Sequence, residues 1–240
     1  MPVPTSQLER LGISRQLVHR YVRSGWLEPL GYGYYRRTGD TLTRNGAVAA
    51  LEIQGIPVHI GGKTALSFHG IAHYLPLGEE KLFLYGATKK SLPGWFSRLF
   101  PTEERGWRLF AEEAELEKRL YVRRLDQDDP YSPFVSEPER ALLEMLGDIP
   151  QKQGLDEARK IMEPMFTLRH EVLQRLLEAC KKIKMKRLFY TLAAELNLPA
   201  LLNLDSSRID FGAGSLYIMT RKDSSLVLKH PGKSRSLTLT

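Results

Sequence analysis

The chain is expected to fold as an α+β protein, with an N-terminal winged helix-turn-helix followed by a larger mixed α/β domain whose C-terminal part is helical. Three observations predict this. Residues 5–37 read as helix, glycine turn, basic helix and short aromatic hairpin. Between residues 81 and 126 there are apolar or β-branched runs of strand length. From Ser136 to Leu196 the apolar residues recur with helical spacing.

The elements follow in order. Ser6 and Glu9 have capping-box spacing, which predicts a first helix starting near Ser6, presenting Leu8 and Leu11 to a core and stopping at Gly12. Ser14 can cap a second helix. There Leu17, Val18, Tyr21 and Val22 share one side, while Arg15, Gln16, His19, Arg20 and Arg23 share the other. Trp26 to Leu30 then predicts a strand, Gly31 to Gly33 a turn, and Tyr34 to Arg37 the returning strand of a wing. Thr38-Gly39-Asp40 is the expected hinge, giving domains over residues 1–40 and 41–240.

Asn45 to Gln54 predicts a helix closed by Gly55 and Pro57, Val58 to Ile60 a short strand, and Lys63 to Tyr74 a buried helix. Strands are expected at Lys81 to Ala87, Trp107 to Ala111 and Arg119 to Asp126, with a helix near Pro93 to Phe100. A mixed sheet is the simplest result. Ser136, Pro138 and Glu139 predict a capped helix running to Gly147. Helices over Leu155 to Met162 and Leu168 to Leu196, the latter broken once, should complete the helical part. Ser215 to Thr220 and Ser225 to Lys229 predict a hairpin, and Pro231 to Thr240 a frayed tail.

Composition narrows the function. Among 240 residues, 35 Lys+Arg against 28 Asp+Glu leave a formal charge of +7. The excess is concentrated: residues 1–44 hold seven arginines against three carboxylates, and Arg175 to Arg187 holds six cations against Glu178. Two basic patches on a slightly acidic body suit phosphate contact and counterion release. The lone cysteine, Cys180, cannot form an internal disulfide, which fits a reducing cytoplasm. No apolar run approaches the roughly 20 residues of a membrane helix. A cytoplasmic protein is expected.

A major groove admits one helix, whose N-terminal turns reach base edges with long polar side chains. Ser14, Arg15, Gln16, His19 and Arg20 fit that place; Arg23 adds a flanking charge, and Arg36 and Arg37 sit where a wing meets phosphate. The plainer reading of these residues is a solvated helix face. A second basic patch of Lys181, Lys182, Lys184, Lys186 and Arg187 is either the wet side of a helix or a further nucleic-acid contact.

Catalytic signatures do not hold. Gly62-Lys63-Thr64 looks like the end of a phosphate-binding loop, but the required first glycine is replaced by Pro57. His69 and His73 have ligand spacing with no glutamate between them, and His59 is unspecific. Gly214-Ser215 with Asp223 lacks its second carboxylate, where Ser225 stands. Glu79-Glu80-Lys81 and the Asp126, Asp128, Asp129 group read as turns. No enzyme, metal or cofactor is expected.

Four blocks also carry a family resemblance: LGISRQLVHRYVRSGWLEPLGYGYY from Leu11, PVHIGGKTALSFHGIAHYL from Pro57, SEPERALLEMLGDIP from Ser136 and LLEACKKIKMKRLFYTLAAEL from Leu176. In content and order the chain resembles the AbiEi-like antitoxins of bacterial type IV toxin-antitoxin systems. Two departures are visible: the chain begins almost at the first helix of the motif, and its last thirty or so residues match poorly. The resemblance implies a winged helix that represses its own operon by binding inverted repeats in double-stranded DNA. It also implies a larger domain that antagonises a nucleotidyltransferase-like toxin. Two other readings compete, a nuclease-like enzyme directed to DNA and a winged-helix regulator that senses a small ligand.

Overall fold

The computed structural model describes residues 1–71, 81–86, 92–106, 109–110, 120–214, 216–219, 225–228 and 230–231. It is an α+β protein that divides into two compact units, each assembled from separate stretches of chain. Unit one comprises residues 1–60, 75–107 and 122–135, and unit two comprises 61–74, 108–121 and 136–240. Thr38-Gly39-Asp40, the expected hinge, lie within unit one.

Unit one opens with strand β1 (Val3–Pro4), helix α1 (Thr5–Arg10), helix α2 (Arg15–Arg23) and the hairpin β2 (Leu27–Gly31) and β3 (Tyr34–Arg37). β3 pairs antiparallel with both β1 and β2, making a three-stranded sheet. The Ser6 capping box does not form. Pro4 occupies the cap position of α1, and the Ser6 hydroxyl donates instead to Gln54 Oε1 at 2.8 Å. Leu11, expected in a core, is 66% exposed because the chain turns back there, with Ile13 N–H donating to Leu8 O. Ser14 caps α2 as expected, accepting from Leu17 N–H at 3.3 Å.

Helix α3 (Arg44–Ile53), capped by Thr43, buries Ala47 to Leu51 and packs on β1 and on β4 (Val58–Ile60). β4 lies at the centre of a five-stranded mixed sheet in the order β6-β5-β4-β8-β7. Its other strands are β5 (Leu82–Gly86), β6 (Thr102–Gly106), β7 (Val122–Arg124) and β8 (Phe134–Ser136). Gly86 is required by close approach, since a Cβ there would meet Pro57 O at 2.2 Å. Helix α5 (Gly94–Leu99) buries Trp95 and Phe96.

Two sequence expectations shift here. The strand expected at Trp107 to Ala111 lies, apart from Leu109 and Phe110, outside the described residues, and an unexpected strand forms before it at Thr102–Gly106, a polar segment, because an edge strand need not alternate apolar residues. Phe110 forms only an isolated bridge with Cys180. β8 was not expected. It is three residues long, yet it pairs parallel to β4, and its Phe134 N–H donates to Glu52 Oε1 at 2.9 Å.

Unit two contains α4 (Gly62–Phe68), α6 (Pro138–Leu146), α7 (Leu155–Met162), α8 (His170–Ala179) and α9 (Ile183–Glu195). The expected break in the last long helix falls at Cys180–Lys182. α6 packs against α4, α7, α8 and α9, and every residue from Glu139 to Leu146 is buried. Short 3-10 turns follow at Pro199–Asn203 and Ser206–Arg208, then an antiparallel pair, β9 (Leu216–Met219) and β10 (Ser225–Leu228).

Carboxylates organise α6. The cap position is Glu137, not Ser136, whose hydroxyl donates to Glu144 Oε2 at 2.9 Å. Glu144 also accepts from Gly62 N–H at 3.0 Å and from Arg140 Nε at 2.9 Å. Arg140 completes its fork on Leu120 O at 2.6 Å and stacks over Phe110. Glu139 accepts three bonds from Arg169, one from its backbone N–H at 2.9 Å and two from its guanidinium at 3.0 and 2.7 Å.

Burial alone would raise the Glu139 carboxyl, but the Arg169 hydrogen bonds outweigh it and hold the group below the usual carboxylate range. In unit one, hydrogen bonds from Lys81 and Arg105 push Glu103 down to about 2. Both shifts are depressions, so the stability they confer is complete above the unfolded carboxylate pKa of about 4.3. It is lost as pH falls through the folded values, for Glu103 toward about 2. Urea titrations should therefore give a flat stability from neutral pH to about pH 5 and a decline below it. Arg169→Ala should lower the plateau and flatten the decline; an unchanged acid limb in that variant would contradict the assignment.

Candidate nucleic-acid interface

The candidate interface is built on α2. Val18 is buried and Leu17, Tyr21 and Val22 are half-buried, so one side of the helix is committed to packing. Arg15, Gln16, His19, Arg20 and Arg23 are all exposed on the other side, as the spacing predicts. Arg15 Nε lies 3.2 Å from Glu9 Oε1, an exposed pair worth only about 0–1 kcal/mol and readily exchanged for another anion. With Ser14 capping the first turn, Arg15 and Gln16 project from a helix start whose amides favour negative charge, while Arg20 and Arg23 stand in the last turn.

The wing carries its two arginines differently. Arg36 is half-buried and donates through Nε to Glu28 Oε2 at 2.7 Å, directly across the hairpin. Its charge is locally compensated. Arg37 is exposed and makes no ion pair among the described residues.

The wing is fixed from two sides. Tyr34, 1% exposed, packs on Trp95 of α5 with ring centroids 5.1 Å apart. Thr5 donates through its backbone N–H and its hydroxyl to Gly33 O, both at 2.8 Å. Neither anchor was read from sequence. Thr5 lies 28 residues from its partner, and Trp95 belongs to an element with no local link to the hairpin.

The second basic patch does not form as a unit. Lys181, Lys182 and Lys184 are exposed, but Lys186 and Arg187 are buried. Lys186 Nζ donates to Asp210 O at 3.0 Å, and the Arg187 guanidinium donates to the carbonyls of Phe211, Gly214 and Gly212 at 2.7, 2.7 and 2.9 Å. A coil folded over the helix has carbonyls with no strand partners, and these two cations satisfy them. Arg187→Met should cost roughly 1.5–3 kcal/mol and speed amide exchange across residues 205–214. Unchanged exchange there would contradict the clamp.

The discarded catalytic signatures have structural roles or fall outside the described residues. Gly62 N–H is taken by Glu144, so the start of α4 faces a buried carboxylate. His69 Nε2 lies 2.9 Å from Ser136 O. Asp126 and Asp129 close turns on Asp128 N–H and Tyr131 N–H. His73, Glu79, Glu80, Ser215 and Asp223 lie outside the described residues. Among the described residues no cluster of three His, Cys, Asp or Glu could hold a metal, and no helix is long and apolar enough to cross a membrane.

Two family models match the chain. One, described as "Transcriptional regulator, AbiEi antitoxin N-terminal domain", covers residues 1–77; the other, "Transcriptional regulator, AbiEi antitoxin, Type IV TA system", covers residues 79–231. The chain belongs to the AbiEi antitoxin family. The resemblance of the four sequence blocks is thus confirmed, and the family is one of transcriptional regulators that act as antitoxins of type IV systems. Among solved structures, the Rv2827c protein from Mycobacterium tuberculosis is similar with a TM-score of 0.53 and 17% identity, over 90% of this chain and 78% of that one. At that identity the likeness is one of fold. A search of curated proteins gives no match. The AbiEi assignment spans both compact units, so the α2 face and the α6 bundle belong to a single family architecture.

Proposed function

We propose that this AbiEi-family chain is a DNA-binding autorepressor that binds inverted repeats in its own promoter, and that it antagonises a nucleotidyltransferase-like toxin. The observation that carries the DNA reading is the face of α2: five long polar side chains, all exposed, opposite a packed side. Residues 1–40 serve as the DNA-binding module and residues 41–240 as the antitoxin part. Arg15, Gln16, His19 and Arg20 contact bases, Ser14 caps the helix and meets phosphate, and Arg23 and Arg37 hold the backbone. Arg36 contributes less, because Glu28 neutralises it. Lys181, Lys182 and Lys184 form the wet face of α9 and its approach. The protein works by binding and not by catalysis, in the cytoplasm, without a cofactor.

A promoter–reporter fusion tests the reading in cells. Wild-type protein should repress the reporter, and Arg20→Ala with Arg23→Ala should relieve repression while protection against the toxin encoded beside it is retained. Full repression by the double variant would contradict the assignment of α2.

A further inference from the structure

The tip of the wing is Gly31-Tyr32-Gly33, and all three residues have positive φ, 108°, 52° and 76°. Glycine adopts this region freely, whereas tyrosine does so only where its surroundings determine it. The surroundings here do. Thr5 fixes Gly33 O with two hydrogen bonds, and a Cβ at Gly33 would stand 2.9 Å from the Thr5 hydroxyl oxygen. On the far side Tyr34 is anchored on Trp95. The fold spends Tyr34 on packing and leaves Tyr32 80% exposed, on the same hairpin that carries the exposed Arg37. An aromatic ring left 80% exposed at the tip, with its Cε2 3.8 Å from where a Cβ on Gly94 would stand, adds little to the core that asparagine could not replace.

We infer that Tyr32 is a specificity contact of the wing, packing its ring against sugar and base edges of the minor groove beside the major-groove site read by α2. The inference rests on the DNA-binding reading above. The ring is uncharged, so its contribution is apolar contact and groove shape, without counterion release. This separates it from Arg37 and Arg23, whose effects must follow salt.

The test is fluorescence anisotropy of the full chain on a labelled duplex of its own upstream DNA. Tyr32→Asn and Tyr32→Gly both tolerate positive φ and remove the ring, and both should bind about tenfold more weakly with an unchanged salt slope. Tyr32→Phe keeps the ring and should bind within about twofold of wild type. On a duplex shortened to remove the flanking minor groove, wild type and Tyr32→Asn should bind alike. Equal binding of Tyr32→Asn and wild type to the full duplex, with wild type still selective over scrambled DNA, overturns the Tyr32 contact alone. A loss that persists on the shortened duplex overturns it too. Absence of selectivity in the wild type takes down the DNA-binding reading itself, and the Tyr32 contact with it.

Discussion

Glu144→Ala should destabilise the chain by roughly 3–5 kcal/mol, because it breaks a buried ion pair by removing one of its partners. Arg140 and Glu144 have side chains only 2% and 1% exposed. The same carboxylate serves Gly62 N–H and Ser136 Oγ, so the start of α4 and the entry to α6 lose their acceptor together. For a chain of this size a loss of 1 kcal/mol lowers the melting temperature by about 2–4 °C, so a drop of roughly 10 °C is expected. Glu144→Gln retains an acceptor oxygen and should cost less. A Glu144→Ala protein that melts within about 1 °C of wild type would show that the network is not what joins α4 to α6.

The second large effect concerns DNA. Gln16→Ala and Arg20→Ala should each remove a base contact worth about 1–3 kcal/mol of discrimination, equivalent to roughly 5- to 150-fold in preference for the cognate sequence. Binding to unrelated DNA should change much less after Gln16→Ala, which removes no charge. Arg37→Ala should weaken binding to every sequence and reduce the salt slope by about 1, while Arg36→Ala, already compensated by Glu28, should do so less. Equal losses on cognate and scrambled duplexes for Gln16→Ala would remove it from the base-reading set.

Much of the exposed α2 face in unit one was legible because local rules govern it. Ser14 caps α2, and the 3.6-residue period separates Val18 from Arg15, His19 and Arg23 without help from the rest of the chain. The bounds of α7 follow equally from local pattern. What escaped was non-local. Ser6 and Ser136 both stand at capping-box spacing, yet the Ser6 hydroxyl finds Gln54, 48 residues away, and the Ser136 hydroxyl finds Glu144, a buried carboxylate two turns into the helix that also serves Gly62, 82 residues away. β6 hid because an edge strand tolerates the polar Thr102–Gly106 run, and β8 because three residues carry too little pattern. Lys186 and Arg187 looked like surface charge because sequence cannot show that a coil will fold over them with unpaired carbonyls. In the wing the fold of the hairpin was readable, but its anchors on Thr5 and Trp95 were not.

The central claim is that the α2 face reads a particular DNA sequence. Fluorescence-anisotropy binding to the chain's own upstream DNA and to a scrambled duplex of equal length, across a salt series, tests it most directly. Tight binding to the upstream duplex, weaker binding to the scrambled one, and a difference that survives rising salt are expected. Weak binding that is equal on both duplexes and vanishes with salt would contradict it.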